Sequence, residues 1–206
     1  MAKLGALLAQ PSGTTSTRGH ALAQRAMELY VQVLKSESLS SQLRSVLQLR
    51  VAIAKRELGD YNGAIEEFVK LLNENEKQLH VQIEAAKTYQ QWGKRSDKNA
   101  YKKAIRGSHA IAVKGGKNLI WGWGRLTQIL AGNAKYRELF HESRYNLALC
   151  RYEFAMKSGK TDKQKSLQSA RNELILTTRM YPDLGGPDRK KQYEALLKKV
   201  QLALGK

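Results

Sequence analysis

The chain reads as an all-α protein made of helix pairs packed side by side. Three observations lead there. The stretch Glu57-Leu58-Gly59-Asp60-Tyr61, followed by Ala64, Ile65 and Phe68, has the form of a helix end, a tight turn and a returning helix. Gly59 and Gly93 stand 34 residues apart, the length of one helix-turn-helix unit in stacked helical arrays. The 206 residues contain only 3 prolines, and apolar residues recur at helical spacing along most of them.

Taken in order, residues 1–17 are expected to form a flexible tail. They hold one lysine and a short apolar patch, then Gly13-Thr14-Thr15-Ser16-Thr17. That is too weak for a secretory signal, and on this ground a cytoplasmic location is favoured. A helical repeat domain is expected over 18–206. Its first helix, Arg18 to Lys35, places Leu22, Ala26, Leu29, Val33 and Leu34 on one face. The next helix carries Leu43, Val46, Leu47, Val51 and Ala54 and ends at Gly59, after which Asp60 caps the following one. That helix carries Ala64, Ile65, Phe68, Leu71 and Leu72; small Ala64 permits close approach and Phe68 fills the gap one turn on. Leu79 to Trp92 is the next helix, ended by Gly93.

Residues 94–117 are expected to be an insertion, with a short helix over Asn99 to Ala112 and a break at Lys114-Gly115-Gly116-Lys117. Asn118 is then expected to cap a buried helix over 118–131, apolar nearly all round through Leu119, Ile120, Trp121, Trp123, Leu126, Ile129 and Leu130. A long helix from about Lys135 to Lys157 and a partner running to Tyr181-Pro182 follow. A lysine-rich helix over 187–204 is expected to cap the open end of the stack.

The formal net charge is +18, unevenly spread. Residues 1–90 hold 11 Lys/Arg against 9 Asp/Glu, a surplus of +2; residues 91–206 hold 25 against 9, a surplus of +16. Such a field draws anionic partners and repels basic ones. No apolar run approaches the roughly 18 residues that span a bilayer. The single cysteine, Cys150, excludes an internal disulfide and sits in an apolar run that buries it.

Motifs of chemistry are weak. His20, His80, His109 and His141 are far apart in sequence, and Tyr145 stands where a zinc helix beginning His141-Glu142 needs its second His. Gly115-Gly116-Lys117-Asn118 approaches a phosphate loop but lacks the upstream Gly and the Ser/Thr. Gly122-Trp123-Gly124 sits in an expected helix rather than after a strand, so it is no dinucleotide fingerprint. Trp121 and Trp123 are expected to pack in the core. No enzyme, metal or cofactor is expected.

The signature Glu57-Leu58-Gly59-Asp60-Tyr61 with Ala64, Ile65 and Phe68, the set Tyr145-Asn146-Leu147-Ala148, and Ala170, Leu174 and Pro182 together resemble a tetratricopeptide repeat protein over about residues 18–182. Departures are Glu76 in place of the usual Pro, Gln48 in place of the first-helix Trp, and insertions in 94–117 and around 155–166. The Ile120–Gly124 and Phe140–Glu142 stretches are similar to those of large uncharacterised bacterial repeat proteins. The resemblance implies a right-handed superhelical stack of antiparallel helix pairs, an α-solenoid, whose concave groove holds a partner.

The leading expectation is therefore a non-enzymatic scaffold that binds an acidic peptide or protein segment in that groove. The resemblance places Arg56, Lys87, Gln90, Tyr145 and Tyr152 facing outward there, and matches Asn146 to the Asn of a carboxylate clamp. One alternative is nucleic-acid or polyanion binding through 91–206, with Lys98, Lys102, Lys103 and Arg106 at helical spacing and Lys190, Lys191 and Lys198 on the last helix. The other is a structural segment of a longer repeat array.

Overall fold

The computed structural model describes residues 17–111 and 116–205. Among these the chain is helical apart from one two-stranded sheet, and within each unit adjacent helices pack on one another. Residues 1–16 of the expected tail lie outside this range, as do 114 and 115 of the expected break at 114–117. Two compact units divide at Asn75 and Glu76.

The first unit holds α1 (Thr17–Leu34), α2 (Ser41–Glu57) and α3 (Tyr61–Glu74). Ser40 caps α2 by accepting from the Leu43 N–H at 3.3 Å. The turn after α2 forms as its sequence dictates. Gly59 has φ +88°, a left-handed conformation open to glycine at no steric cost, and the Asp60 carboxylate accepts from the Gly63 N–H at 2.9 Å to start α3. Ala64 and Phe68 are wholly buried where α3 packs on α2, with Ile65, Leu71 and Leu72 beside them. Lys55 and Glu67 tie the two helices at 2.9 Å. Burial alone would raise the Glu67 carboxyl, but the Lys55 and Lys70 ammoniums outweigh it and hold the group below its ordinary value.

The buried face of α1 matches the expected one at Ala26 and departs from it at Leu22, Leu29 and Val33. Ala23 and Ala26 are its buried residues, while Leu22, Leu29 and Val33, and Leu43 and Val46 on α2, are more than 40% exposed. Small alanines let α1 and α2 approach closely, and the larger residues turn away from that seam.

The second unit begins with α4 (Leu79–Arg95) and α5 (Ala100–Arg106). Gly93 lies inside α4 rather than ending it. A β-carbon there would run into the ring of Tyr101, which is buried on the missing side chain. The expected helix over 99–112 stops at Arg106, and β1 (Ser108–Ile111) pairs antiparallel with β2 (Lys117–Ile120), Ser108 opposite Ile120. The expected helix over 118–131 is thereby corrected: its first part is β2, and only α6 (Trp123–Leu130) is helical. Asn118 does not cap that helix; its amide donates to the Arg106 carbonyl at 3.0 Å. Gln82 on α4 holds the strand from behind. It donates to the Leu119 and Glu76 carbonyls, both at 2.9 Å, and accepts from the Trp121 N–H at 2.7 Å.

A 3-10 turn (Ala134–Tyr136) leads into α7 (Arg137–Met156), α8 (Lys160–Met180) and α9 (Pro187–Ala203). Arg144 meets Glu173 and Thr177, whereas Arg151, two turns later on α7, meets Ser169 and Glu173; the two helices therefore run antiparallel. Ala148, Ala155, Leu167, Ala170, Leu174, Leu184, Tyr193, Leu196 and Val200 form one core cluster shared by α7, α8 and α9. Cys150 is fully buried, and burial pushes its thiol well above the ordinary value. Trp123 is wholly buried and Trp121 nearly so, as expected of core residues. No helix among the described residues is long and apolar enough to cross a membrane.

Candidate anion-binding surface

The residues expected to line a groove are largely engaged within the fold. Arg56, in the first unit, is only 7% exposed, and its guanidinium meets Glu57 at 3.0 Å. In the second unit, Lys87 bridges Glu84 at 3.6 Å and Glu142 at 3.3 Å, linking α4 to α7. Gln90 donates to Asn146 at 3.1 Å and accepts from the Trp123 indole at 3.0 Å. Tyr145 and Tyr152 are half-buried against the core cluster. Burial raises the Tyr145 hydroxyl, against the opposing effect of Arg189, whose guanidinium lies 5.9 Å from the ring centroid. Of the residues that the resemblance places facing outward, Arg56 is thus buried, and Gln90, Tyr145 and Tyr152 are half-buried.

The basic set behaves differently. Lys98, Lys102, Lys103, Arg106, Lys190, Lys191 and Lys198 are all exposed, and none of the seven has a carboxylate within ion-pairing distance among the described residues. Lys98, Lys102, Lys103 and Arg106 gather on and before α5; Lys190, Lys191 and Lys198 lie on α9. Elsewhere in the second unit, Lys87–Glu142 ties α4 to α7, and Arg144–Glu173 and Arg151–Glu173 tie α7 to α8.

Several groups around α5 were not legible in the sequence. Lys103 lies over the rings of Tyr89 and Trp92, and Lys102 over that of Phe154. Lys157 donates to the Gly93 carbonyl at 2.7 Å and the Lys94 carbonyl at 2.6 Å, closing the C-terminal end of α4. Tyr89 and Trp92 lie on the preceding helix, while Phe154 and Lys157 come from more than 50 residues away in sequence, and no local spacing announces them. Beside them Ser108 donates to the Tyr89 hydroxyl at 2.8 Å and pairs with His109 Nδ1 at 2.9 Å. Burial, and then the charge of Lys103, lower the His109 pKa.

A separate open cavity of about 260 Å³ lies between the starts of α7 and α9. Glu138 and Asp188 face it together with Arg189, a mixed set that gives an anion no net attraction. Among the described residues no three His, Cys, Asp or Glu side chains group as metal ligands. Comparison with family models, with curated proteins and with solved structures yields no match to this chain.

Proposed function

We propose that this chain is a non-enzymatic scaffold of the tetratricopeptide-repeat type, a right-handed α-solenoid that binds an acidic protein or peptide segment. The observation that carries the reading is the set of exposed cations of the second unit that no carboxylate neutralises. Surface ion pairs would have cost the fold little to include, and uncancelled charge of one sign works against compactness. Charge left open in this way is suited to meeting a partner's charge.

The test is capture by an immobilised acidic peptide, compared with the same composition after its carboxylates are amidated. Retention on the first and not the second supports the reading. Equal retention on both, or on neither, sinks it.

Nucleic acid is the second reading, favoured by Lys102 and Arg106 standing four residues apart on the exposed side of α5. Phosphate contacts release counterions, so affinity for an oligonucleotide would fall steeply as salt rises. A flat salt dependence excludes it.

A further inference from the structure

The lysines around α5 are fixed in place without carboxylates. The Lys103 ammonium lies 5.6 Å from the centroids of both the Tyr89 and Trp92 rings, which are themselves stacked at 6.2 Å. That of Lys102 lies 5.0 Å from the Phe154 centroid on α7, and that of Lys157 lies 5.8 Å from the Tyr101 centroid. A carboxylate that holds a lysine also cancels its charge, whereas an aromatic face holds it and leaves the charge whole. A long side chain already held gives up less freedom when a partner arrives. Lys98 and Arg106 flank the pair, exposed and without a carboxylate partner among the described residues. Because α7 and α8 run antiparallel, Lys160 at the start of α8 joins Lys157 at the end of α7 near the same place.

Two acidic groups lie near this set, and neither forms an ion pair with it among the described residues. Asp97 accepts from the Asn99 N–H, and Glu153 is half-buried, close enough to Tyr101 and Cys150 to raise both. The aromatic faces are also taken: Tyr89, Tyr101 and Phe154 are buried, and Trp92 lies stacked on Tyr89 beneath Lys103. Bases would find no free ring on which to stack. Recognition here runs on charge, and the interval from Lys102 to Arg106, about 6 Å of helix rise, is also the interval between acidic residues one turn apart on a helix.

The geometry points to the α5 end of the second unit, through Lys98, Lys102, Lys103 and Arg106, as the docking face for an acidic polypeptide segment. This rests on the scaffold reading above and adds to it a place and a mode of recognition: cations pre-positioned on aromatic rings.

The experiment is fluorescence anisotropy of labelled oligoglutamate with the full chain at low salt. The variant Lys102→Gln/Lys103→Gln is expected to weaken binding about tenfold or more, and the matched control Lys135→Gln/Arg179→Gln by less than about threefold. Lys135 and Arg179 suit the control because both are exposed and lie toward the opposite end of the antiparallel α7–α8 pair. Circular dichroism of each variant confirms that it is folded. In the unaltered protein the imidazole signal of His109, assigned with His109→Gln, is expected to move as the peptide is added.

Equal loss in both variants, or an unmoved His109 signal, overturns the α5 location and leaves the scaffold reading standing. No binding by the unaltered protein overturns both. Binding of oligothymidylate through the same lysines, with oligoglutamate inert, overturns the assignment to a polypeptide.

Discussion

Gln90 of α4 accepts the indole N–H of Trp123 at 3.0 Å while its own amide donates to Asn146 of α7 at 3.1 Å. One side chain thus joins three helices and satisfies a polar group on a wholly buried tryptophan. Gln90→Leu leaves that N–H unpaired, at a cost of about 1–3 kcal/mol, whereas Gln90→Glu keeps an acceptor in place. All three tryptophans, Trp92, Trp121 and Trp123, lie in the second unit, so urea unfolding followed by tryptophan fluorescence reports on that unit. The expected result is a clear fall in midpoint for the leucine variant and a smaller one for the glutamate; equal midpoints would show that the bond contributes nothing.

Gln82 is the larger case. It is wholly buried and serves two carbonyls and one backbone N–H around β2. Gln82→Leu strands all three, so a loss of about 3 kcal/mol or more is expected, at the high end for one substitution. Hydrogen exchange should also speed up at Leu119–Trp121 before it does so in α8. Unchanged exchange there would mean that the strand is held by its hairpin alone.

Gly93→Ala sets two effects against each other. Alanine gains up to about 1 kcal/mol in a helix interior. Its methyl, however, would displace the buried Tyr101 ring, and overpacking costs about 1–3 kcal/mol. Net destabilisation is expected, and Gly93→Ala combined with Tyr101→Leu should lose less than the two changes added separately.

His141 gives the second unit a pH dependence. It is 1% exposed, packed edge-on against Phe140 and Tyr181, and its Nδ1 has no partner among the described residues. Burial, then the charges of Arg137, Arg189 and Arg144, lower its pKa below the ordinary 6.5. The unfolded state therefore binds the proton more readily. Its contribution is fully present above about 6.5 and is lost as pH falls from there through the folded value. The fluorescence-detected midpoint should drop over that window, and His141→Gln should flatten the drop. A drop of the same size in the variant would assign it to other groups.

The α2–α3 hairpin was legible because its determinants are local: Gly59 for the turn, Asp60 for the cap, Ala64 and Phe68 for the packing. The β-hairpin was not. Leu119-Ile120-Trp121 is a short apolar run whose periodicity fits a buried strand as well as a helix, and Gln82, 37 residues from Leu119, stabilises the strand. The buried face of α1 was legible only at Ala26: Leu22, Leu29 and Val33 suggest a wider seam, but they are exposed and Ala23 is buried instead. At the candidate surface, charge was visible in composition, but the rings beneath Lys102 and Lys103 come from α4 and α7, and only the fold brings them together.

Cys150, the chain's single thiol, lies sealed in the second unit with no exposed surface. It is a built-in clock for breathing. A thiol-specific dye can label it only after the surrounding helices part, so the labelling rate reports how readily the unit opens. A ligand that clamps this unit should slow that clock even when the ligand itself gives no signal.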